Sequence, residues 1–364
     1  MPKQTTPTTP IDLTSRQAIA LLDKSNALGS VEALAKQIEH AWADVKTVEV
    51  KIKSPIKNVV VNGMGGSGLG ADVIKSLFKD KLNVPFDFVH SYTLPNYIDE
   101  NTLVILSSYS GTTEEVLASS KQAEEKGAQI IAITTGGELG PLAKEKGWPT
   151  YVIDPVHNPS GQPRMALGYS VIGTVGLCAQ AGLLNLTDAQ VQSIQTVIKQ
   201  QLAKSCVEED ADNNPAKILA YEMIDRRPIL VVAEFLEGMA HVNANQLNEN
   251  AKIFADYKIV PEINHHLMEG LKFPASNKDS HIFFFMNSEL YLPKNQQRME
   301  ITKEIVEKNG LDTMRVELTA KTKLDQAFEM LALFSFVGFY LSMLEGIDPC
   351  PIPFVDEFKE KLKK

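Results

Sequence analysis

The stretch Val59-Val60-Val61-Asn62-Gly63-Met64-Gly65-Gly66-Ser67-Gly68-Leu69-Gly70 sets the architecture of this chain. Three β-branched residues predict a short buried strand, and helical periodicity over residues 69–78 predicts a helix beyond the glycines. Clustered glycines let the backbone approach an anion closely, and a helix N-terminus presents unpaired N–H groups. The stretch therefore predicts a strand–turn–helix unit suited to holding an anion.

Strands and helices alternate along the rest of the first half of the chain. Short apolar runs predict five strands, at residues 59–61, 86–89, 103–106, 130–134 and 150–153. Continuous apolar strands that alternate with helices are typical of a parallel sheet covered on both faces. We therefore predict a first domain at 45–190. Residues 1–44 precede it. They are predicted to form a flexible arm (1–10) and two short helices, with the boundary between the helices at Leu28-Gly29-Ser30.

The alternation restarts after an acidic, polar linker at residues 205–214. Strands are predicted at 229–233, 281–286 and 314–318, and a long apolar helix at 324–344 is assigned to the core or to a dimer interface. The second half looks like a diverged copy of the first. The predicted fold class is α/β, with two doubly wound domains (45–190 and 205–364), each a mainly parallel five-stranded sheet flanked by helices.

Composition limits the classes of function. The 364 residues, 44% hydrophobic and 22% charged, suit two globular domains. A formal net charge of −9 argues against a nucleic-acid or anionic-membrane partner. Three separated cysteines, and an N-terminus without the apolar stretch of a secretory signal, predict a cytoplasmic protein. No window approaches eighteen uninterrupted apolar residues, which predicts no membrane span.

The glycine turn also fits the dinucleotide-binding pattern G-x-G-x-x-G through Gly63, Gly65 and Gly68. That pattern expects an acidic residue at the tip of the next strand to hold the ribose. Here the next strand ends Phe88-Val89-His90-Ser91, without a carboxylate. A nicotinamide-dependent oxidoreductase stays as an alternative, as does a glycine turn that binds no ligand.

A second loop, at residues 107–113, carries the discriminating signal. It reads Ser-Ser-Tyr-Ser-Gly-Thr-Thr, so five Ser/Thr hydroxyls precede a helix predicted at 114–126. Such a loop offers a phosphate several neutral hydrogen bonds and the positive end of a helix dipole. The alternative is that Thr112 or Thr113 merely caps the helix. Capping explains one hydroxyl, whereas five are present, and the loop therefore predicts phosphate binding.

The order strand–GGSG–helix, strand–SxSGxTxE–helix resembles the sugar isomerase (SIS) domain, and the later motifs resemble the bifunctional phosphoglucose/phosphomannose isomerases. The resemblance extends over nearly the whole chain from about residue 45. Because only the first of the two similar halves carries the glycine–serine loop set, we expect a single active site per chain, in the cleft beside the first domain. The implied phosphate ligands are Ser108, Ser110 and Thr113. The residues implied to line the sugar side are Gly65, Gly66 and Ser67.

Four further motifs imply the catalytic residues. They are Gln162-Pro163-Arg164, Asn248-Glu249-Asn250-Ala251-Lys252, Glu262-Ile263-Asn264-His265, and a C-terminal helix with Lys359 after Gly346-Ile347-Asp348-Pro349. Glu249 would move a proton between C2 and C1 through a cis-enediol, and Arg164 would stabilise the enediolate. The alternatives are an exposed helical glutamate and an ordinary surface arginine.

The last two candidates, His265 and Lys359, are assigned to ring opening. A histidine titrates in the range needed to move a proton between the ring oxygen and O1, although adjacent His266 competes for this role. Lys359 would lie near the ring oxygen or O1, and a solvated lysine-rich tail is the alternative. In related isomerases the histidine comes from the partner subunit, so the resemblance implies a homodimer with shared active sites.

The implied activity is interconversion of glucose 6-phosphate and fructose 6-phosphate, without a cofactor or a metal. Cys350 stands where bifunctional members often carry a threonine, which leaves activity on mannose 6-phosphate open. Two alternatives come from the same type of domain. One is a non-catalytic sugar-phosphate-binding regulatory protein, which the presence of Glu249 disfavours. The other is an aminosugar isomerase, which would need a glutaminase domain that the N-terminal region is too short to contain.

Overall fold

The computed structural model describes residues 11–362. The arm predicted at 1–10 lies outside this range. Three helices follow, α1 (Arg16–Ala20), α2 (Ala27–Glu32) and α3 (Leu34–Val45). The prediction of two helices separated at Gly29 is wrong. The side chain of Asn26 accepts a hydrogen bond from the Gly29 N–H and starts α2, which then runs through the glycine.

The first sheet has five strands, as predicted, and every strand pair in it is parallel. The strand order is β2-β1-β3-β4-β5. Its elements are β1 (Asn58–Gly63), α4 (Leu69–Leu77), β2 (Phe86–Val89), β3 (Thr102–Ser107), α5 (Glu114–Glu125), β4 (Gln129–Thr134), α6 (Leu139–Lys146), β5 (Thr150–Val152) and α7 (Leu167–Gln180).

Burial on both faces explains why β1 is a continuous apolar run. Val59 and Val61 point into the main core that continues toward the second half of the chain, whereas Val60 points into a smaller core on the other face. Successive side chains of a strand alternate between faces. The three valines therefore fill both cores, while buried Asn62 follows them at the end of the strand.

The second sheet follows the helices α8 (Asp188–Ser205) and α9 (Pro215–Glu222). Within residues 11–362 it contains four parallel strands in the order β7-β6-β8-β9. Its elements are β6 (Arg227–Ala233), α10 (Glu237–Gln246), β7 (Asp256–Val260), α11 (Leu267–Gly270), α12 (Asn277–Ser280), β8 (His281–Ser288), α13 (Pro293–Lys308), β9 (Asp312–Leu318), α14 (Lys323–Leu344) and α15 (Pro353–Leu362).

The predicted two-sheet α/β fold is confirmed, but the second sheet has four strands and not five. By position, β6, β7, β8 and β9 correspond to β1, β2, β3 and β4, and β5 has no counterpart among the residues described. The sequence did not reveal β7, because it is a half-buried edge strand that carries Asp256 and Lys258. Charged residues break the continuous apolar pattern by which buried strands are found.

Helix α14 is core, as the apolar stripe predicted. It packs against α8, α9 and α10. By length and composition it could cross a membrane, but 94% of its apolar window is buried inside the molecule. A helix that is apolar on all sides and surrounded by protein is a core helix.

The two halves of the chain meet where α4 packs against α10. A Cβ atom on Gly238 would lie 2.1 Å from the carbonyl oxygen of Asp72, so only glycine permits this approach. The carboxylate of Asp72 also lies 2.6 Å from Nδ1 of His241 across the same contact. Helix α4 begins beside the glycine turn and α10 leads toward Glu249, and this contact therefore sets the distance between the two motifs.

Candidate active site

The Ser/Thr loop lies between β3 and α5. The hydroxyl of buried Ser108 is 2.7 Å from that of Thr113 and accepts a hydrogen bond from the Gly111 N–H. Thr113 is the N-cap residue of α5, yet its side chain makes no capping hydrogen bond. The hydroxyl of Thr112 donates to that of exposed Ser110. Capping therefore does not account for these side chains.

The glycine turn and the Ser/Thr loop are joined through Ser67. This residue ends the 3-10 turn Gly65–Ser67, which follows β1. Its hydroxyl accepts a hydrogen bond of 2.8 Å from the Tyr109 N–H, and its carbonyl accepts one of 2.6 Å from the Ser107 hydroxyl. The two loops predicted to bind one sugar phosphate are thus neighbours at the carboxyl edge of the sheet, where open α/β sheets bind ligands.

Arg164 lies directly against the glycine turn, in the 3-10 turn Pro163–Met165. A Cβ atom on Gly66 would lie 3.1 Å from the backbone nitrogen of Arg164, and this close approach explains a glycine at this position. The arginine is only 2% exposed, so the alternative of a surface arginine is wrong. Burial lowers the pKa of its guanidinium, and the charge of Glu249 opposes that effect.

Four of the five N–H groups of Arg164 are held by protein acceptors. Nε donates to Oδ1 of Asn250 at 2.7 Å, and Nη1 donates to Oε1 of Gln162 at 2.8 Å. Nη2 donates to the carbonyls of Pro349 and Cys350 at 2.8 and 2.7 Å. A single N–H on Nη1 remains, and Nη1 is the atom nearest to the carboxylate of Glu249, at 3.6 Å.

Glu249 lies in the π-helical turn Leu247–Ala251, which continues from α10. π-helical turns are rare in proteins, and those that do occur often lie at functional sites. The side chain is 31% exposed. Burial raises the pKa of the carboxyl, and the nearby charges of Arg164, Lys252 and Lys359 oppose this rise. A partly buried carboxylate with a raised pKa is the state expected of a general base.

The C-terminal segment is tied to the same site. Nζ of Lys252 donates to the carbonyls of Glu249 and Pro349, the latter at 3.0 Å, and so joins the π turn to the segment that Arg164 also holds. Helix α15 begins shortly afterwards and carries Lys359, whose charge contributes to the pKa of Glu249. Lys361, one of the competing tail lysines, forms an ion pair with Glu357 at 2.5 Å.

His265 is placed differently from the other candidates. It is exposed and ends the 3-10 turn Glu262–His265 beyond β7. The preceding Asn264 is hydrogen-bonded to Thr302 and Arg298 of α13. Among the residues described, no hydrogen bond or ion pair joins His265 to Arg164 or Glu249. Direct contacts within one chain therefore join Gly66, Arg164 and Glu249, and the charge of Lys359 acts on Glu249, whereas these contacts do not include His265.

Sequence reasoning missed the residues that orient Arg164. Asn250 is fully buried, and Gln162 flanks the arginine in its own turn. Both lie inside motifs already quoted for other residues. A buried arginine requires acceptors for its N–H groups, so the amides beside Arg164 and Glu249 were the available signal.

A cavity of about 870 Å³ lies elsewhere, between α4 and the carboxyl edge of the second sheet. None of the predicted site residues lines it. Within residues 11–362, no group of three or more His, Cys, Asp or Glu side chains is arranged to hold a metal ion.

Known proteins resemble both halves of the chain. A family model described as SIS domain matches residues 54–159, and one described as bacterial phospho-glucose isomerase C-terminal SIS domain matches residues 212–362. Among solved structures, a hypothetical protein of Thermus thermophilus superposes with a TM-score of 0.73 at 16% identity, over 96% of this chain and 93% of that one. At this identity the likeness shows the fold alone.

Two relatives show to which family the chain belongs. A bifunctional phosphoglucose/phosphomannose isomerase of Caldicellulosiruptor bescii is 33% identical over 92% of this chain and 98% of its own length. One of Aquifex aeolicus is 30% identical over 92% and 97%. The glycine turn, the Ser/Thr loop and the Arg164–Glu249 pair thus occur in a chain that is related to these enzymes along nearly its whole length. The protein belongs to the bifunctional phosphoglucose/phosphomannose isomerase family.

Proposed function

We propose that the protein is an aldose–ketose isomerase that interconverts glucose 6-phosphate and fructose 6-phosphate. The observation that carries the proposal is the placement of the Glu249 carboxylate 3.6 Å from buried Arg164, which itself packs against Gly66 of the glycine turn. A base and a fixed positive charge are thereby set beside a loop suited to a phosphate. The names of the relatives extend the proposal to mannose 6-phosphate.

The phosphate is assigned to the hydroxyls of Ser108, Ser110 and Thr113. These groups hydrogen-bond within their own loop, and a hydroxyl can rotate to donate to a phosphate oxygen instead. The N-terminus of the twelve-residue α5 directly follows them and favours negative charge. The phosphate would fix one end of the open-chain sugar, and Gly65, Gly66 and Ser67 would line its path toward Arg164.

Glu249 is assigned the proton transfer between C2 and C1. As a carboxylate it removes the proton from one carbon and returns it to the adjacent carbon, so one base serves both directions. The negative charge that develops on the enediolate oxygen would be met by the remaining Nη1 N–H of Arg164. Because the other four N–H groups are already held, that donor is oriented before the substrate arrives. The proposed steps require no metal ion.

His265 and Lys359 are assigned to ring opening, with His265 supplied by a second copy of the chain. Two observations support a homodimer. His265 is exposed, and among the residues described it has no hydrogen bond or ion pair with Glu249. Helix α15, which carries Lys359, leaves Phe354 79% and Phe358 60% exposed. A partner that buries these apolar residues and delivers a histidine would complete the site.

The finer assignments belong to the same proposal. We place the two SIS domains at residues 45–190 and 205–364, with α15 as an active-site helix, and the protein in the cytoplasm. The observation that supports a cytoplasmic location is that all three cysteines are free, as is usual in a reducing compartment.

The experiment that tests the function is an assay of purified protein in the presence of a chelator. Fructose 6-phosphate should be converted to glucose 6-phosphate, measured by a coupled dehydrogenase, and mannose 6-phosphate should be converted to fructose 6-phosphate. Fructose 6-phosphate deuterated at C1 should yield some glucose 6-phosphate deuterated at C2, as a single base requires. Tight binding without turnover would favour the regulatory alternative and overturn the proposal.

A further inference from the structure

The first turn of the second sheet repeats the backbone of the glycine turn. β1 leads into the 3-10 turn Gly65–Ser67, and β6 leads into the 3-10 turn Glu234–Leu236. The first residue of each turn has a positive φ, 49° for Gly65 and 51° for Glu234. Each strand lies between the second and third strands of its own half. Glu234 is therefore the positional counterpart of Gly65.

A glutamate is an unusual residue for this conformation, which glycine adopts without steric cost. Its carboxylate makes two contacts that a glycine could not make. Oε1 accepts a hydrogen bond of 2.7 Å from the Leu292 N–H and one of 2.8 Å from Nδ2 of Asn295. Leu292 is the N-cap residue of the sixteen-residue α13, which follows β8 as α5 follows β3. A carboxylate thus occupies the helix start that corresponds to the Ser/Thr loop.

The hydroxyls of the loop between β8 and α13 are already engaged within the protein. The hydroxyl of Ser288 donates to Oε1 of Gln326 and accepts from the Leu290 N–H. The hydroxyl of Tyr291 donates to the carbonyl of Met286 and accepts from the Ala233 N–H. At the start of α13, Glu234 holds the Leu292 N–H and the side-chain amide of Asn295.

We propose that Glu234 is a tethered anion that fills, in the second sheet, the position equivalent to the phosphate position of the first. The inference rests on the proposed function for that first position. Glu234 lines the cavity of about 870 Å³ described above, together with Lys75, Lys79 and Lys323. A phosphate could therefore reach the start of α13 through this cavity, and the carboxylate keeps it out. The pseudo-symmetric chain is limited in this way to one sugar phosphate.

The test uses the full chain with its first phosphate position weakened by Ser110→Ala and Thr113→Ala. Adding Glu234→Gly removes the carboxylate and introduces glycine, the residue found at the equivalent position 65 of the first half. Titration with inorganic phosphate, followed by calorimetry, should then show binding at least about tenfold tighter than in the background protein, and phosphate should raise Tm. Glu234→Ala serves as a second variant should the glycine variant fold poorly.

Two controls separate occupancy from charge. Glu237→Ala removes the same charge from the wall of the same cavity, where Glu237 holds neither Leu292 nor Asn295, and should add no phosphate binding. Glu234→Gln keeps a side-chain oxygen that can accept both hydrogen bonds, and should also add none. A folded Glu234→Gly or Glu234→Ala protein without added binding would overturn the inference, as would an equal gain in Glu237→Ala or Glu234→Gln.

The proposed function and this inference fail in different ways. If Ser110→Ala and Thr113→Ala leave the affinity of the wild-type chain for fructose 6-phosphate unchanged, the phosphate position of the first sheet is wrong. The response to Glu234→Gly is measured with inorganic phosphate alone, and it is compared with Glu237→Ala in the same background. That comparison does not depend on isomerase activity.

Discussion

The guanidinium of Arg164 and the carboxylate of Glu249 lie 3.6 Å apart. Arg164 follows β5, the last strand of the first sheet, whereas Glu249 follows α10, the helix after the first strand of the second sheet. Neither sheet alone contains the pair. Their meeting depends on the contact between α4 and α10 and on the segment around Pro349, which Arg164 and Lys252 both hold. The candidate site is therefore a product of the packing between the two halves.

Glu249→Gln is expected to lower kcat by about a hundredfold or more, because the amide cannot accept the proton from C2. Substrate affinity, measured by calorimetry, should change far less. The control is Glu262→Gln, an exposed glutamate near His265. Equal turnover in wild-type and Glu249→Gln proteins would remove Glu249 from the role of base.

Asn250→Ala is expected to lower kcat without a comparable rise in KM, because Arg164 loses the acceptor that fixes Nε. Leaving a buried charged donor unpaired should also cost about 1–3 kcal/mol of unfolding free energy. Asn248→Ala is the matched control. Asn248 lies in the same π turn, and its side chain donates to the carbonyls of Ala244 and Ala255, with no hydrogen bond to Arg164. A loss of stability with unchanged kcat in both variants would contradict a positioning role for Asn250.

Ser110→Ala combined with Thr113→Val is expected to raise KM for fructose 6-phosphate by about tenfold or more, since each lost hydrogen bond to a charged phosphate is worth about 1.5–3 kcal/mol. Inhibition by inorganic phosphate should weaken in parallel. Ser91→Ala, which removes a hydroxyl after β2, should leave both values unchanged. Unaltered phosphate inhibition in the loop variant would place the phosphate elsewhere.

The pH profile of kcat/KM should report the raised pKa of Glu249. A base is active when deprotonated, so a raised pKa moves the acid limb above the value of about 4.3 for a free glutamate. The charge of Lys359 lowers this pKa, and Lys359→Met should therefore move the acid limb to higher pH. Lys361→Met removes a lysine that is paired with Glu357 and should not move it. A limb that stays in place in Lys359→Met would separate Lys359 from the site.

Mixing inactive variants tests whether His265 comes from a partner. Glu249→Gln and His265→Ala proteins should each be nearly inactive. After unfolding and refolding together, about a quarter of the sites of a two-fold dimer should carry both wild-type residues and recover activity. A mixture of Glu249→Gln and Arg164→Ala should recover none, because both residues belong to one chain. Absence of recovery in the first mixture would place His265 outside a shared site.

The strongly apolar strands and helices of the fold were predictable from the sequence, whereas the polar edge strand β7 was not. The run Val59-Val60-Val61 identified β1 because these three side chains are buried on alternating faces of the sheet. β7 was missed because Asp256 and Lys258 interrupt the same kind of pattern. Gly29 looked like a helix end because its hydrogen bond to Asn26 is not visible in a pattern of apolar residues.

The candidate site was predictable as a set of residue types and not as an arrangement. Sequence motifs picked out Arg164 and Glu249 separately, and nothing in their spacing measures the distance between them. The burial of Arg164, its four protein acceptors and the role of Asn250 all arise from contacts between segments far apart in the chain. Glu234 was overlooked because its significance lies in its backbone conformation and in its position relative to α13.

The backbone contact at Gly238 also makes the candidate site sensitive to a position outside it. The main chains of α4 and α10 touch at Asp72, and a Cβ atom at position 238 would lie 2.1 Å from the Asp72 carbonyl oxygen. A side chain at this position would push the two helices apart. Because α4 begins beside the glycine turn and α10 leads to Glu249, such a shift would carry the carboxylate away from the loops of the first sheet.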